Sequence, residues 1–271
     1  MTNLHGRVAL VTGAGQPDGI GQGIVKALLR SGADGVVFTD IDTEMGEESL
    51  KIAASEFGVD RLLFLRQEVS SEADWEQTHA AVFDRFGGLD ILVNNAGASF
   101  GGSLATLSLE DVRRGMSVNF ESQFIGIKTC MGSLIERADR WPGGTAIINN
   151  SSVGAYLADP TNLTYNVSKA AVRMLSMCAA RELGGKNVRV NSIHFGTIDT
   201  PLLRASFERR VDMGQYPDTD AARQAMERNA PLKRMGTPED AGALAAFLAS
   251  DEARYLTGAA YICDGGLTTQ Y

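Results

Sequence analysis

Seven short apolar runs, spaced by longer amphipathic stretches, constrain this chain more than any other feature. The runs are Val8–Val11, Val36–Thr39, Leu62–Leu65, Ile91–Val93, Thr145–Asn149, Arg189–Ile193 and Ala259–Ile262. Most are rich in Val, Ile or Leu and lack polar alternation, the pattern of strands covered on both faces. Helical periodicity fills the intervals at Gly21–Ser31, Thr43–Phe57, Glu72–Phe86, Leu109–Arg137, Leu163–Leu183 and Pro238–Ser250. The last opens on Thr237-Pro238-Glu239-Asp240: an N-cap, a proline at the first helical position and acids in the first turn. Strand-helix alternation along the whole chain predicts an α/β fold, a doubly wound parallel sheet of about seven strands. No linker or composition shift divides it, so residues 1–271 read as a single domain. Only Thr200–Arg234 breaks the rhythm. This polar, helix-like stretch reads as a substrate lid off a late strand.

Charge narrows the function. Lys+Arg 25 against Asp+Glu 33 leaves a net charge of −8. There is no basic surplus to displace counterions from nucleic acid or to dock on an anionic membrane. No apolar run approaches the roughly 18 residues of a membrane span, and the N-terminus lacks a basic-then-apolar leader. A cytoplasmic protein is expected. Cys130, Cys178 and Cys263 are too scattered for a disulfide framework, and with His5, His79 and His194 they show no metal-ligand spacing. No metal is expected.

The first strand runs into a glycine-rich loop, Thr12-Gly13-Ala14-Gly15-Gln16-Pro17-Asp18-Gly19-Ile20-Gly21, and then a helix. Glycines there let a pyrophosphate approach the backbone, and the helix N-terminus offers unpaired N–H donors. Asp40 ends the second strand, 19 residues after Gly21. Its carboxylate suits the ribose hydroxyls of a dinucleotide and repels a 2′-phosphate. With no Lys or Arg in the loop and Asp18 adding negative charge, NAD is expected rather than NADP. After the fourth strand, Asn94-Asn95-Ala96-Gly97 offers small residues where a backbone can lie flat against the adenosine ribose.

Ser152, Tyr165 and Lys169 form the chemical constellation. Tyr165 and Lys169 are four apart on a helix and share a face. A phenol with pKa about 10 is a poor acid or base at neutral pH, and a neighbouring ammonium favours the phenolate. Such a tyrosine can protonate a carbonyl oxygen as hydride reaches carbon, or deprotonate an alcohol in reverse. The Ser152 hydroxyl can hold the same oxygen.

In these motifs the chain resembles the short-chain dehydrogenase/reductase family over essentially its full length. The matching pieces, in order, are the glycine-rich loop, Asn94–Gly97, Asn119, Ser152, Tyr165-x-x-x-Lys169 and Asp264-Gly265-Gly266. The resemblance implies a Rossmann-type fold with Tyr165 as acid/base. Lys169 would tune the phenol and bind the nicotinamide ribose, Ser152 would orient substrate, and Asn119 would support a water-linked proton path to Lys169. It further implies cofactor contacts from Gly13, Gly15, Gln16, Gly19, Ile20, Asp40, Glu68, Val69, Asn95, Ala96 and Gly97, and from Ile198 and Thr200 toward the carboxamide. A homo-oligomer, with a tetramer favoured, is implied too. Three departures stand out. Five residues separate Gly13 from Gly19 where three are common, Glu68 replaces an aspartate, and Phe195-Gly196 replaces Pro-Gly and would put an aromatic ring on the nicotinamide wall.

His194 reads as a structural histidine at a strand end, and Arg209-Arg210, beside Glu208 and Asp212, as a solvated helix face. The expected substrate wall combines Ser99, Phe100, Gly154–Leu157, Phe195, Leu202, Leu203, Phe207, Met213 and Tyr216. It is largely apolar and suits a hydrophobic cyclic or steroid-like alcohol. The expectation is an NAD(H)-dependent oxidoreductase interconverting a secondary alcohol and a ketone. A 3-oxoacyl thioester reductase is the alternative within enzymes. A dinucleotide-sensing regulatory protein is the alternative outside them, although it would have no use for Ser152, Tyr165 and Lys169 together.

Overall fold

Each apolar run forms a strand in the computed structural model, which describes residues 2–269. The strands are β1 (Val8–Val11), β2 (Gly35–Asp40), β3 (Leu62–Arg66), β4 (Ile91–Asn94), β5 (Thr145–Ser152), β6 (Val188–Phe195) and β7 (Ala260–Cys263). They make one seven-stranded sheet in the order β3-β2-β1-β4-β5-β6-β7, with every pairing parallel. The winding reverses between β1 and β4, which opens a crevice at the carboxyl ends of those two strands.

The helices are α1 (Ile20–Arg30), α2 (Thr43–Phe57), α3 (Glu72–Phe86), α4 (Leu109–Met116), α5 (Ser122–Ala138), α6 (Leu163–Leu183), α7 (Pro201–Asp212), α8 (Thr219–Asn229) and α9 (Pro238–Ala249). On one face of the sheet, Ile24, Leu28, Ala245 and Leu248 of α1 and α9 pack with Ala9, Val11 and Val36. On the other, Trp75, Val82, Leu134 and Leu183 pack with Leu10, Leu92, Ile147 and Val190. Full burial of each such Leu or Ile stabilises by about 1.5–3 kcal/mol.

The structure departs from the sequence reading in two places, both next to the crevice. β5 and β6 continue past the predicted ends at Asn149 and Ile193 to Ser152 and Phe195, still in register. Their polar side chains are hydrogen-bonded inside the protein, with Asn149 Nδ2 donating to Ser176 at 2.9 Å and Asn94 Nδ2 donating to Asn149 at 2.8 Å. In β5, apolarity therefore stops before the strand does. The long helix predicted over Leu109–Arg137 is interrupted by a π-turn at Ser117–Glu121, where the Ser122 N–H reaches back to the Ser117 carbonyl. Such one-turn π segments often mark functional sites.

α1 and α9 meet through glycines. A Cβ on Gly23 would fall against the Pro238 carbonyl, and one on Gly242 against the Gly23 carbonyl. Backbone atoms cannot give way as a flexible side chain can. Gly242→Ala is therefore expected to destabilise the fold by about 1–3 kcal/mol in denaturant unfolding, and no change in midpoint would contradict this close approach.

The Thr200–Arg234 excursion becomes α7 and α8 with a small core of their own. Phe207, Ala222 and Met235 are buried together, and Leu203, Tyr216 and Met226 pack against them. Among the described residues, no helix is long and apolar enough to cross a membrane.

Candidate active site

Ser152 is the last residue of β5, and Tyr165 and Lys169 lie one turn apart on α6, which packs across the end of that strand. The Ser152 hydroxyl stands next to the Tyr165 phenol and accepts the Gly154 N–H at 3.1 Å. Lys169 is buried, donates to the Asn150 carbonyl at 2.9 Å and sits 5.6 Å from the Tyr165 ring centroid. Burial lowers the Lys169 ammonium to about 8. Burial also raises the Tyr165 phenol, against a smaller lowering by the Ser152 hydrogen bond. The sequence reading expects Lys169 to bring the phenol down. In the chain alone, desolvation of the phenol dominates instead.

Asn119 is fully buried within the π-turn and clasps one peptide unit. Its Oδ1 accepts from the Ala98 N–H at 2.8 Å, and its Nδ2 donates to the Ala98 carbonyl at 2.9 Å. Its amide is thus committed to the loop after β4. A Cβ on Gly97 would lie 3.0 Å from Asn119 Oδ1 and 3.2 Å from Lys169 Nζ, so the Asn94–Gly97 turn passes directly over both.

The glycine-rich loop is tied down on three sides. Asn95 Nδ2 donates to the carbonyls of Thr12 and Gly13 at 2.8 and 2.7 Å, and Asn150 Nδ2 donates in turn to Asn95 Oδ1 at 2.6 Å. Ala96 N–H donates to the Thr12 hydroxyl at 3.1 Å. From α2, Ser49 donates to the Gly15 carbonyl at 2.6 Å. Asp40 accepts the Gly15 N–H at 2.8 Å on one carboxylate oxygen and the Asp42 N–H at 3.1 Å on the other. Gly13 adopts φ +63°, and a Cβ there would strike Ala96. The donor set fits a dinucleotide. α1 starts at Gly19 with no side-chain cap and no acid in its first turn, whereas α2, α3 and α4 are capped by Asp42, Ser71 and Ser108. Its first N–H groups and the positive end of its dipole remain for a pyrophosphate near Gly15, Gln16, Gly19 and Ile20.

The comparisons with known proteins agree with this geometry. A family model described as enoyl-(acyl carrier protein) reductase matches residues 13–268. A 3-beta-hydroxysteroid dehydrogenase of Comamonas testosteroni is 38% identical over 98% of both chains. An NADP-dependent (R)-specific alcohol dehydrogenase of Lentilactobacillus kefiri is 36% identical over 98% of both chains. A solved structure described as a short-chain dehydrogenase/reductase from Burkholderia xenovorans superposes with TM-score 0.90 at 29% identity, covering 100% of each chain. The chain belongs to the short-chain dehydrogenase/reductase family.

Other residues expected in the site of this dehydrogenase/reductase lie at varying distances from the crevice. Glu68 does not reach outward, because its carboxylate accepts from the Ser70 N–H and hydroxyl at 3.2 and 2.9 Å. Val69 is buried, with its carbonyl held by Trp75 Nε1 at 2.8 Å. Ile198 is also buried in the core, pairing by its backbone with Gly236, and Thr200 caps α7 by accepting the Leu203 N–H at 3.3 Å. Phe195 is a correction. Its ring lies in the core beside Ile193 and Ile198, because the alternation of β6 turns it away from the crevice.

Phe207 needs the same correction, since its buried ring binds α7 to α8, while Leu203 and Tyr216 pack against that core from partly buried positions. Tyr156, Leu157, Leu202 and Met213 are the exposed apolar residues of the expected wall. Arg210 is not a free surface charge: it pairs with Asp159 at 3.4 Å and links α7 to the loop before α6. Sequence reasoning missed Asn150, Ser49 and Asp74, which holds the Glu68 N–H at 2.8 Å. Asn150 had a signal, a run of polar residues continuing an apolar strand.

Proposed function

We propose that the chain is an NAD(H)-dependent oxidoreductase interconverting a secondary alcohol and a ketone, with a hydrophobic cyclic or steroid-like substrate. The observation that carries this reading is the meeting of Ser152, Tyr165 and Lys169 beside an uncapped helix N-terminus and a glycine-rich loop. Bound in the crevice, NAD supplies the hydride acceptor. Ser152 donates a hydrogen bond to the reacting oxygen and fixes its place, while the Tyr165 phenolate takes the alcohol proton. In the reverse direction, the neutral phenol protonates the carbonyl oxygen. The Lys169 ammonium stabilises the phenolate and holds the Asn150 carbonyl, so its charge and its position serve the same step.

Asp40 supports NAD, because its carboxylate faces the loop and no basic residue stands between Gly13 and Gly19. The exposed Tyr156, Leu157, Leu202 and Met213 support an apolar substrate. Following reduced nicotinamide absorbance with NAD and a panel of secondary alcohols tests the reading. Turnover of cyclic or steroid-like alcohols supports it, and activity confined to acyl thioesters with NADPH overturns it.

A pH dependence follows from the site. The phenol lies above its ordinary value, so the fraction ionised climbs as pH rises. Alcohol oxidation is therefore expected to accelerate as pH rises from 7. The gain levels above about 8, where Lys169 loses the charge that stabilises the phenolate. Ketone reduction, which uses the neutral phenol, holds its rate at neutral pH. A flat oxidation profile from pH 7 upward would remove Tyr165 as the base.

Assembly is the other proposal. Phe124 on α5 and Val167, Met174 and Met177 on α6 expose apolar side chains. They suit burial against a second copy in a symmetric oligomer, with a tetramer favoured. Light scattering at micromolar concentration is expected to give a multiple of 28.9 kDa, and a single species at that mass would contradict it.

A further inference from the structure

His194 is a buried titratable group beside the reacting centre that the mechanism above does not use. It lies on β6 opposite Ser151 in register and is completely buried. Its Nδ1 is 3.0 Å from the Ser152 carbonyl oxygen and its Nε2 is 2.9 Å from Ser192 Oγ. A carbonyl oxygen only accepts, so Nδ1 carries the proton, and Nε2 is left to accept from the Ser192 hydroxyl. Burial and the nearby Arg173 and Lys169 charges hold the imidazole below its ordinary pKa, which keeps this neutral form. The Tyr156 ring covers it at 4.9 Å between centroids, and the Arg173 guanidinium lies 5.1 Å from the Tyr156 ring.

The carbonyl so held is at the point where the chain leaves the sheet. β5 ends at Ser152, the residues after it turn at once through Val153–Ala155, and the Ser152 hydroxyl caps that turn through Gly154. That hydroxyl accepts from the turn, which leaves its proton to point toward the phenol or the reacting oxygen. With the ladder ending, the direction of the O–H depends on what holds the Ser152 backbone.

We propose that His194 is a positioning residue for the alcohol/ketone reaction: its Nδ1–H holds the Ser152 peptide so that the hydroxyl stays aimed at Tyr165 and the reacting oxygen. The proposal rests on the role given to Ser152 above. It assigns His194 no proton transfer.

The test is a double-mutant cycle on the full-length enzyme with its alcohol substrate and NAD. His194→Leu removes the donor, and kcat is expected to fall about 10-fold while NAD affinity, read by quenching of protein fluorescence, stays unchanged. The side-chain amide nitrogen of His194→Asn occupies nearly the place of Nδ1, and this variant is expected to recover most of the lost kcat. In a Ser152→Ala background, His194→Leu is expected to cost nothing more, because the group it positions is gone. An equal further loss in that background, or an Asn variant as slow as the Leu variant, would reduce His194 to core packing and overturn the proposal. Ser152→Ala at wild-type rate would instead overturn the role of Ser152, a separate failure. Should the Leu variant not fold, His194→Gln carries the same comparison, since its amide nitrogen lies one bond beyond the Nδ1 position.

Discussion

Replacing Tyr165 by Phe is expected to lower kcat/KM for alcohol oxidation by about 10²–10⁴-fold, the usual worth of a positioned acid/base. The ring itself remains, half-buried on α6, so neither the fold nor the crevice changes shape. Ser152 keeps its bond from the Gly154 N–H, and Lys169 keeps the Asn150 carbonyl. NAD affinity is therefore expected to stay close to that of the unmodified protein, with the whole loss in the chemical step. Steady-state kinetics together with a fluorescence titration of NAD separate the two quantities. Retention of more than about a tenth of kcat/KM would show that another group moves the proton.

Coenzyme choice carries the second large effect. A 2′-phosphate of about −2 charge brought against the Asp40 carboxylate, with no cation between Gly13 and Gly19, meets repulsion worth several kcal/mol in a partly desolvated site. kcat/KM with NAD is expected to exceed that with NADP by about 10²-fold, or about 2.7 kcal/mol. A relative of this chain is NADP-dependent, so residues rather than family membership must decide the matter. The hydrogen bond from the Gly15 N–H gives Asp40 a second duty, since the same carboxylate anchors the pyrophosphate loop. Asp40→Ala is accordingly expected to narrow the gap partly by weakening NAD. Asp40→Asn, which removes the charge and keeps an acceptor for Gly15, should narrow it with less damage. Equal use of both coenzymes by the unmodified protein would refute the role of Asp40.

Much of this was legible in the residues. Strands covered on both faces are written as unbroken apolar runs, so the sheet could be read almost strand by strand, and α2, α3 and α6 keep the predicted bounds. Tyr165 and Lys169 could be paired because helical spacing alone places them on one face. What escaped depends on contacts between distant segments. Glu68 folds back on Ser70, the Phe195 ring follows the pleat of β6 into the core, and Phe207 finds Ala222 and Met235. The interruption at Ser117–Glu121 left no mark in a periodicity that continues on either side of it. Desolvation of Tyr165 was equally invisible, because burial belongs to the folded chain.

The separate core beneath α7 and α8 bears on how this enzyme can change. Phe207, Ala222 and Met235 hold the two helices to each other, while Arg210 and Asp159 make one polar fastening to the body. Leu202 and Met213 project from that unit without being needed to hold it together. On the substrate wall proposed above, preference would be rewritten at those outer positions, or by exchanging the 200–235 segment, which carries the whole of that core, between relatives. New specificities should arise here by recombination as readily as by point substitution, with the hydride chemistry inherited unchanged.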